Sequence, residues 1–169
     1  MDAGERWKII ALAVFAFAFL TFVSRPYLSV DSFSNAAGYA AYAAGTGPAN
    51  VFYQITGILA PVMPLGYIAP IFGTLAIAFI YLALRQQFTS TPALIASALL
   101  ASAPAFARFA SVGVYSPEAI AFALFALGAY LLLKSFSMPS PAPGAGLGAL
   151  SMVLAAIVYP PAALLAVLF

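Results

Sequence analysis

Leu65-Gly-Tyr-Ile-Ala-Pro-Ile-Phe-Gly-Thr-Leu-Ala-Ile-Ala-Phe-Ile-Tyr-Leu-Ala-Leu84 runs without a charged residue and stops at Arg85-Gln86-Gln87. A helix rises ~1.5 Å per residue, so this run spans a hydrocarbon core of about 30 Å. Within lipid every backbone amide has to be bonded inside the chain, and a helix is how one segment does that alone. The whole composition agrees. Of 169 residues, 65% are hydrophobic and 6% charged, and the mean hydropathy is +1.08. Soluble domains carry about 25% charged residues, so a water-soluble globule is excluded. The expected fold class is all-α: a polytopic transmembrane helical bundle of about five spans, with residues 1–169 forming one partial transmembrane domain.

Working outward, a first span is expected at about 7–24, with Trp7 and Lys8 at its rim and no small-x-small cleavage site before Arg25. Downstream, a third span at about 92–108 opens with Thr91 as cap and Pro92 at the first helical position, and Pro104 kinks its far end. A fourth, at about 118–134, starts from Ser116 as N-cap and Pro117 and stops at Lys134. Residues 135–144 hold three prolines and read as a loop before a fifth span at about 146–169.

Between the first two spans, residues 25–62 shift to Ser, Asn, Gly, Pro and Tyr. They read as an extracytoplasmic loop whose Tyr27, Phe33, Tyr39 and Tyr42 lie along the headgroups, continued by a short interfacial helix through Phe52, Tyr53, Ile55 and Leu59. Five crossings place Arg6, Lys8, Arg85 and Lys134 on the first side and Arg25 and Arg108 on the other; a sixth, through residues 50–62, gives three against three. The positive-inside rule favours five, with the N-terminus cytoplasmic.

The chain holds no histidine and no cysteine. Imidazole bases, thiolate nucleophiles, disulfides and His- or Cys-ligated metals are therefore excluded. Six scattered basic residues and a net charge of +2 exclude a nucleic-acid surface. The acids are Asp2, Glu5, Asp31 and Glu118. Asp31 and Glu118, the two beyond the N-terminal tail, fall on the same side in the five-span reading. Paired there, they suit a hard divalent cation or acid–base work. The structural roles open to them are a solvated loop aspartate and an acid favoured by a helix dipole. Arg108 reads as a headgroup anchor or as a guanidinium fork for a lipid-linked phosphate. Pro143 to Gly148 resembles a phosphate loop only in its glycines, since no strand precedes it; close helix packing is the reading. Transport would want intramembrane charges or an internal repeat, and neither is evident.

The order of these features, with the stretches Pro70 to Arg85 and Ala93 to Arg108, resembles the N-terminal half of the membrane domain of GT-C glycosyltransferases. Val112-Gly-Val-Tyr-Ser-Pro-Glu-Ala-Ile120 is similar to the turn that opens the fourth span in the oligosaccharyltransferase catalytic subunit of archaeal and bacterial type. Protein mannosyltransferases and lipid A aminoarabinose transferases share the pattern. The resemblance implies transfer of sugar from a polyprenyl-phosphate-linked donor to an extracytoplasmic acceptor, which for the oligosaccharyltransferase branch is a polypeptide. It implies catalytic and metal-binding roles for Asp31 and Glu118 toward Mg²⁺ or Mn²⁺, with Tyr115 and Ser116 as neighbours in the second motif. Ser116 stands where the family has a first acid. The hydrophobic run continues to Phe169 without a polar flank, which reads as a truncated enzyme, inactive as it stands. The reading from another class is a non-catalytic integral membrane subunit whose small-residue faces bind partner helices.

Overall fold

The computed structural model describes residues 3–23 and 30–163, with the backbone alone for Val30 and Asp31. Helices account for all the regular structure among them. α1 (Ala3–Ala18) runs on into a π-helical turn (Phe19–Val23); α2 (Val30–Ala43) and α3 (Val51–Leu59) follow; a 3-10 turn (Leu65–Tyr67) leads into α4 (Ile68–Leu84). α5 (Ser90–Ser102) and α6 (Pro104–Ala110) bend from each other by 64°. α7 (Pro117–Ser135) and α8 (Pro141–Val158) complete the order. Ala3–Val23, Leu65–Leu84, Pro117–Ser135 and Pro141–Val158 are each long and apolar enough to cross a membrane, and the bent α5–α6 pair makes a fifth if taken as one span. The chain is an all-α bundle of an integral membrane protein.

Long-range contacts sort the loops into two ends. Glu5 meets Arg85, and Lys8 meets Ser90, so the start of α1, the end of α4 and the start of α5 share one end. Leu84, Gln87 and Leu133 line one cavity, which brings the end of α7 to the same place. At the other end, the Val112 N–H donates to the Leu20 carbonyl (3.1 Å) and the Gly113 N–H to the Gly66 carbonyl (3.0 Å). Leu12 and Ala16 of α1 and Leu20 of the π-helical turn pack against Ala76, Ile77 and Tyr81 of α4 and Ala93 and Ala101 of α5. A second cluster joins Phe52 and Tyr53 to Ile68, Phe125, Met152 and Val158. Large apolar side chains such as Val14, Leu99, Val153 and Ile157 point outward, the reverse of a soluble protein and the face that lipid requires.

The segment expected as a loop over 25–62 is instead mostly helix. α2 forms because Ala36, Ala37, Ala40, Ala41 and Ala43 are strong helix formers. Residues 24–29 lie outside the described part. The interfacial helix expected through Phe52 to Leu59 is α3, capped by Asn50, whose side chain accepts from the Tyr53 N–H (2.8 Å). The fifth span opens at Pro141 rather than 146. Pro141 and Pro143 occupy its first turn, where the N–H groups they lack have no intrahelical acceptor. It closes at Val158, because Tyr159 precedes Pro160-Pro161 and is held extended; residues 164–169 lie outside the described part. The third span starts at Ser90 with Thr89 in the cap position, so Pro92 falls inside the first turn, and the kink at Pro104 is a complete break at Ala103.

α7 and α8 approach closely at two glycines. A Cβ on Gly128 would stand 2.8 Å from the Gly148 carbonyl oxygen, and one on Gly148 would stand 3.0 Å from that of Gly128. These contacts are backbone and cannot swing aside, so the crossing depends on small residues. Gly128→Val is expected to lower stability by ~1–3 kcal/mol in a detergent unfolding titration. Gly146→Ala, with open space around its Cβ, should leave stability unchanged or slightly raised.

Candidate functional site

The site is built around the turn between α6 and α7. Gly113 takes φ +81°, a left-handed conformation that costs glycine little, and this reverses the chain. Tyr115 then ties three elements together. Its N–H donates to Ser32 Oγ (3.3 Å), its carbonyl accepts from Asn35 Nδ2 (3.1 Å), and its hydroxyl donates to Thr56 Oγ1 (2.9 Å). Thr56 Oγ1 in turn donates to the Phe52 carbonyl (2.9 Å). Ser32, Thr56 and Tyr115 are all buried. Burial pushes the Tyr115 pKa up to about 12, from an ordinary value of 10.0. The Tyr39, Tyr42 and Tyr53 rings and Phe52 pack with Tyr115 in a chain of tilted, edge-on and stacked contacts. Gly38 makes room for this: a Cβ there would overlap the Tyr53 hydroxyl.

Asp31 is the second residue of α2, in its first turn rather than in a loop, and its side chain lies outside the described part. Its neighbour Ser32 carries the bond to Tyr115, three residues before Glu118. The tether therefore brings the start of α2 to the start of α7. Ser116 has the extended backbone of an N-cap, yet its side chain caps no amide. Its hydroxyl donates instead to Glu118 Oε2. Glu118 lines a cavity of about 380 Å³ whose other walls include Phe109, Phe122, Phe125, Tyr159 and Pro161. This volume falls within the ~300–1,000 Å³ of small-ligand sites. A single carboxylate at the edge of an apolar cavity suits an amphiphile with a polar end. Arg108 is exposed on α6 and makes no ion pair with a described residue; its neighbour Phe109, not Arg108, lines the cavity.

Among the described residues no three acids converge as a metal site. Glu118 contributes one carboxylate there, with Ser116 Oγ beside it. Mg²⁺ commonly takes one or two carboxylates and completes its shell with water and substrate phosphate, so this donor set fits a cation that arrives with a phosphorylated ligand.

A second polar cluster, which sequence reading missed, lies at the opposite end. Glu5 Oε2 accepts from the Tyr81 hydroxyl (2.7 Å) and from Arg85 Nε (3.2 Å), and Glu5 Oε1 pairs with Lys8 (3.5 Å). Lys8 also donates to Ser90 Oγ (2.8 Å), and Arg85 Nη1 to the Phe88 carbonyl (2.6 Å). The carboxylate raises the Arg85 pKa further above its ordinary value, chiefly by accepting its hydrogen bond. The readable signal was Tyr81, the one phenol within α4, which when buried needs a partner.

Tyr115→Phe should cost about 1 kcal/mol, since it removes one buried hydrogen bond and leaves the ring in place. The raised phenol also links stability to pH. Its contribution is full below about pH 10 and is lost as pH rises through about 12; a spectrophotometric titration of wild type against Tyr115→Phe reads this directly. No family model matches the chain, and neither does any curated protein or solved structure.

Proposed function

We propose that the chain is the N-terminal part of a GT-C-like membrane glycosyltransferase, which moves sugar from a polyprenyl-phosphate-linked donor to an extracytoplasmic acceptor, a polypeptide in the oligosaccharyltransferase-like case. The observation that carries this reading is the Tyr115 tether. It sets the helix whose first turn holds Asp31 against the turn that leads to Glu118, and Glu118 edges an apolar cavity. One acidic, phosphate-facing region beside an apolar cavity is what an amphiphilic donor of this kind needs.

In this reading Asp31 and Glu118 would hold Mg²⁺ or Mn²⁺, which when bound would supply charge compensation for the departing phosphate. The chain's own groups do the rest. Phe109, Phe122, Phe125 and Tyr159 receive the lipid end and exclude water from the carboxylate. Ser116 holds one oxygen of Glu118 and so fixes its orientation. Arg108, exposed at the same end, is the guanidinium that would meet the donor phosphate. The Tyr115 end then faces away from the cytoplasm, and the Glu5 end, where Arg6, Lys8, Arg85 and Lys134 gather, faces the cytoplasm.

The test is transfer from a labelled polyprenyl-phosphate-linked sugar in membranes carrying the protein at its full coding length. Asp31→Ala and Glu118→Gln are each expected to lower transfer by at least ~10–100-fold, and chelation of divalent cations should do the same. Undiminished transfer in both variants contradicts the reading.

A further inference from the structure

The Glu5 end carries a charge asymmetry that the proposed transfer reaction does not use. Among the described residues it gathers Arg6, Lys8, Arg85 and Lys134 against the single carboxylate of Glu5. The described side chains of the other end balance, Arg108 against Glu118. Glu5 does not quench the cluster: it holds Lys8 and Arg85 on its two oxygens, so two cations converge on one anion, and the Lys8 side chain keeps 40% of its exposure. Arg6 is exposed beside them. Lys134 lies over the Tyr130 ring, 5.5 Å from its centre, which fixes its height along α7.

Aromatic side chains mark the depth of this end. Trp7 is 70% exposed, Phe88 56% and Phe136 82%, and these residues stand within three positions of Arg6, Arg85 and Lys134 in the chain. Exposed aromatics beside cations are the pattern of a helix end at headgroup level, where rings sit among glycerol esters and cations reach phosphate. The described cations here exceed the described acid, and Lys8 and Arg85 are already ordered by Glu5 and so lose little freedom on meeting a phosphate.

We propose that the Glu5 end is a binding surface for anionic phospholipid headgroups, centred on Arg6, Lys8 and Arg85 with Trp7 alongside. The occupant is a lipid with net negative charge, since a zwitterionic headgroup brings its own cation and gains much less from the excess. This surface stands independently of the transferase reading, being at the opposite end of the bundle.

Trp7 is the chain's sole tryptophan, so its emission reports this end without labelling. The full chain is reconstituted in phosphatidylcholine vesicles that contain an equal fraction of brominated phosphatidylglycerol or brominated phosphatidylcholine. The expected result is stronger quenching by the brominated phosphatidylglycerol. Arg6→Gln should weaken the relative association of that lipid by about fivefold, the equivalent of ~1 kcal/mol for one surface cation. Glu5→Gln should strengthen it, because an acid is removed from among the cations. Opposite signs from two neighbouring substitutions are not what a merely structural role produces. Should Glu5→Gln lose its helical circular dichroism, the Arg6→Gln comparison decides alone. Equal quenching by the two brominated lipids, or a preference indifferent to Arg6→Gln, overturns the proposal.

Discussion

Backbone hydrogen bonding in an apolar solvent is the constraint from which the architecture follows. A chain this poor in polar side chains has to close its amides on itself, and helices do so for most of its length. What remains is the irregular backbone where helices end or break, and at the Tyr115 end those pieces satisfy one another. The Leu20 carbonyl, in the π-helical turn after α1, accepts from Val112; the Gly66 carbonyl, in the turn before α4, accepts from Gly113; Tyr115 exchanges bonds with Ser32 and Asn35 of α2. Four chain segments far apart in sequence therefore meet in one place. The candidate site is a by-product of that closure, because Glu118 is the first acid after the turn.

The two well-described carboxylates that lie in the bundle contrast in a way that bears on function. Glu5 is held by a phenol, a guanidinium and an ammonium, and links α1 to α4. Its bonds account for its presence. Glu118 has a neighbouring hydroxyl and an apolar cavity, and none of the basic side chains forms an ion pair with it among the described residues. An acid placed against apolar walls is costly unless something polar joins it. The structural reading of Glu118, a helix-start acid in the dipole field, explains its place in sequence but not the cavity it edges. That difference is why we propose the transfer chemistry at the Tyr115 end and the lipid-surface role at the Glu5 end.

Hydropathy located two of the spans well, since the helices Leu65–Leu84 and Pro117–Ser135 fall close to the long apolar runs of the sequence. Periodicity could not reveal α2. Its Ser, Asn and Gly residues read as loop, whereas Ser32 and Asn35 bond to Tyr115 and Gly38 is small because the Tyr53 hydroxyl occupies the space. Prolines misled at the start of α8, where they punctuate a first turn rather than a loop. At the site, Glu118 and Ser116 were legible as neighbours, but their mutual bond was not, because capping was the stronger local expectation for Ser116. The Glu5 cluster was missed for a different reason: two of its partners, Tyr81 and Arg85, lie 76 and 80 residues away, so a buried phenol signalled the need for a partner without saying which.

The central claim is that the start of α2 and the start of α7 share one end of the bundle. The chain contains no native cysteine, so spin labels can be placed in pairs without background. Labels at Phe33 and Glu118 are predicted to show strong dipolar broadening in reconstituted membranes. A pair at Phe33 and Lys134, separated further by ~24 Å along α7, should show none. Broadening in the second pair and not in the first would place α2 at the opposite end and contradict the account.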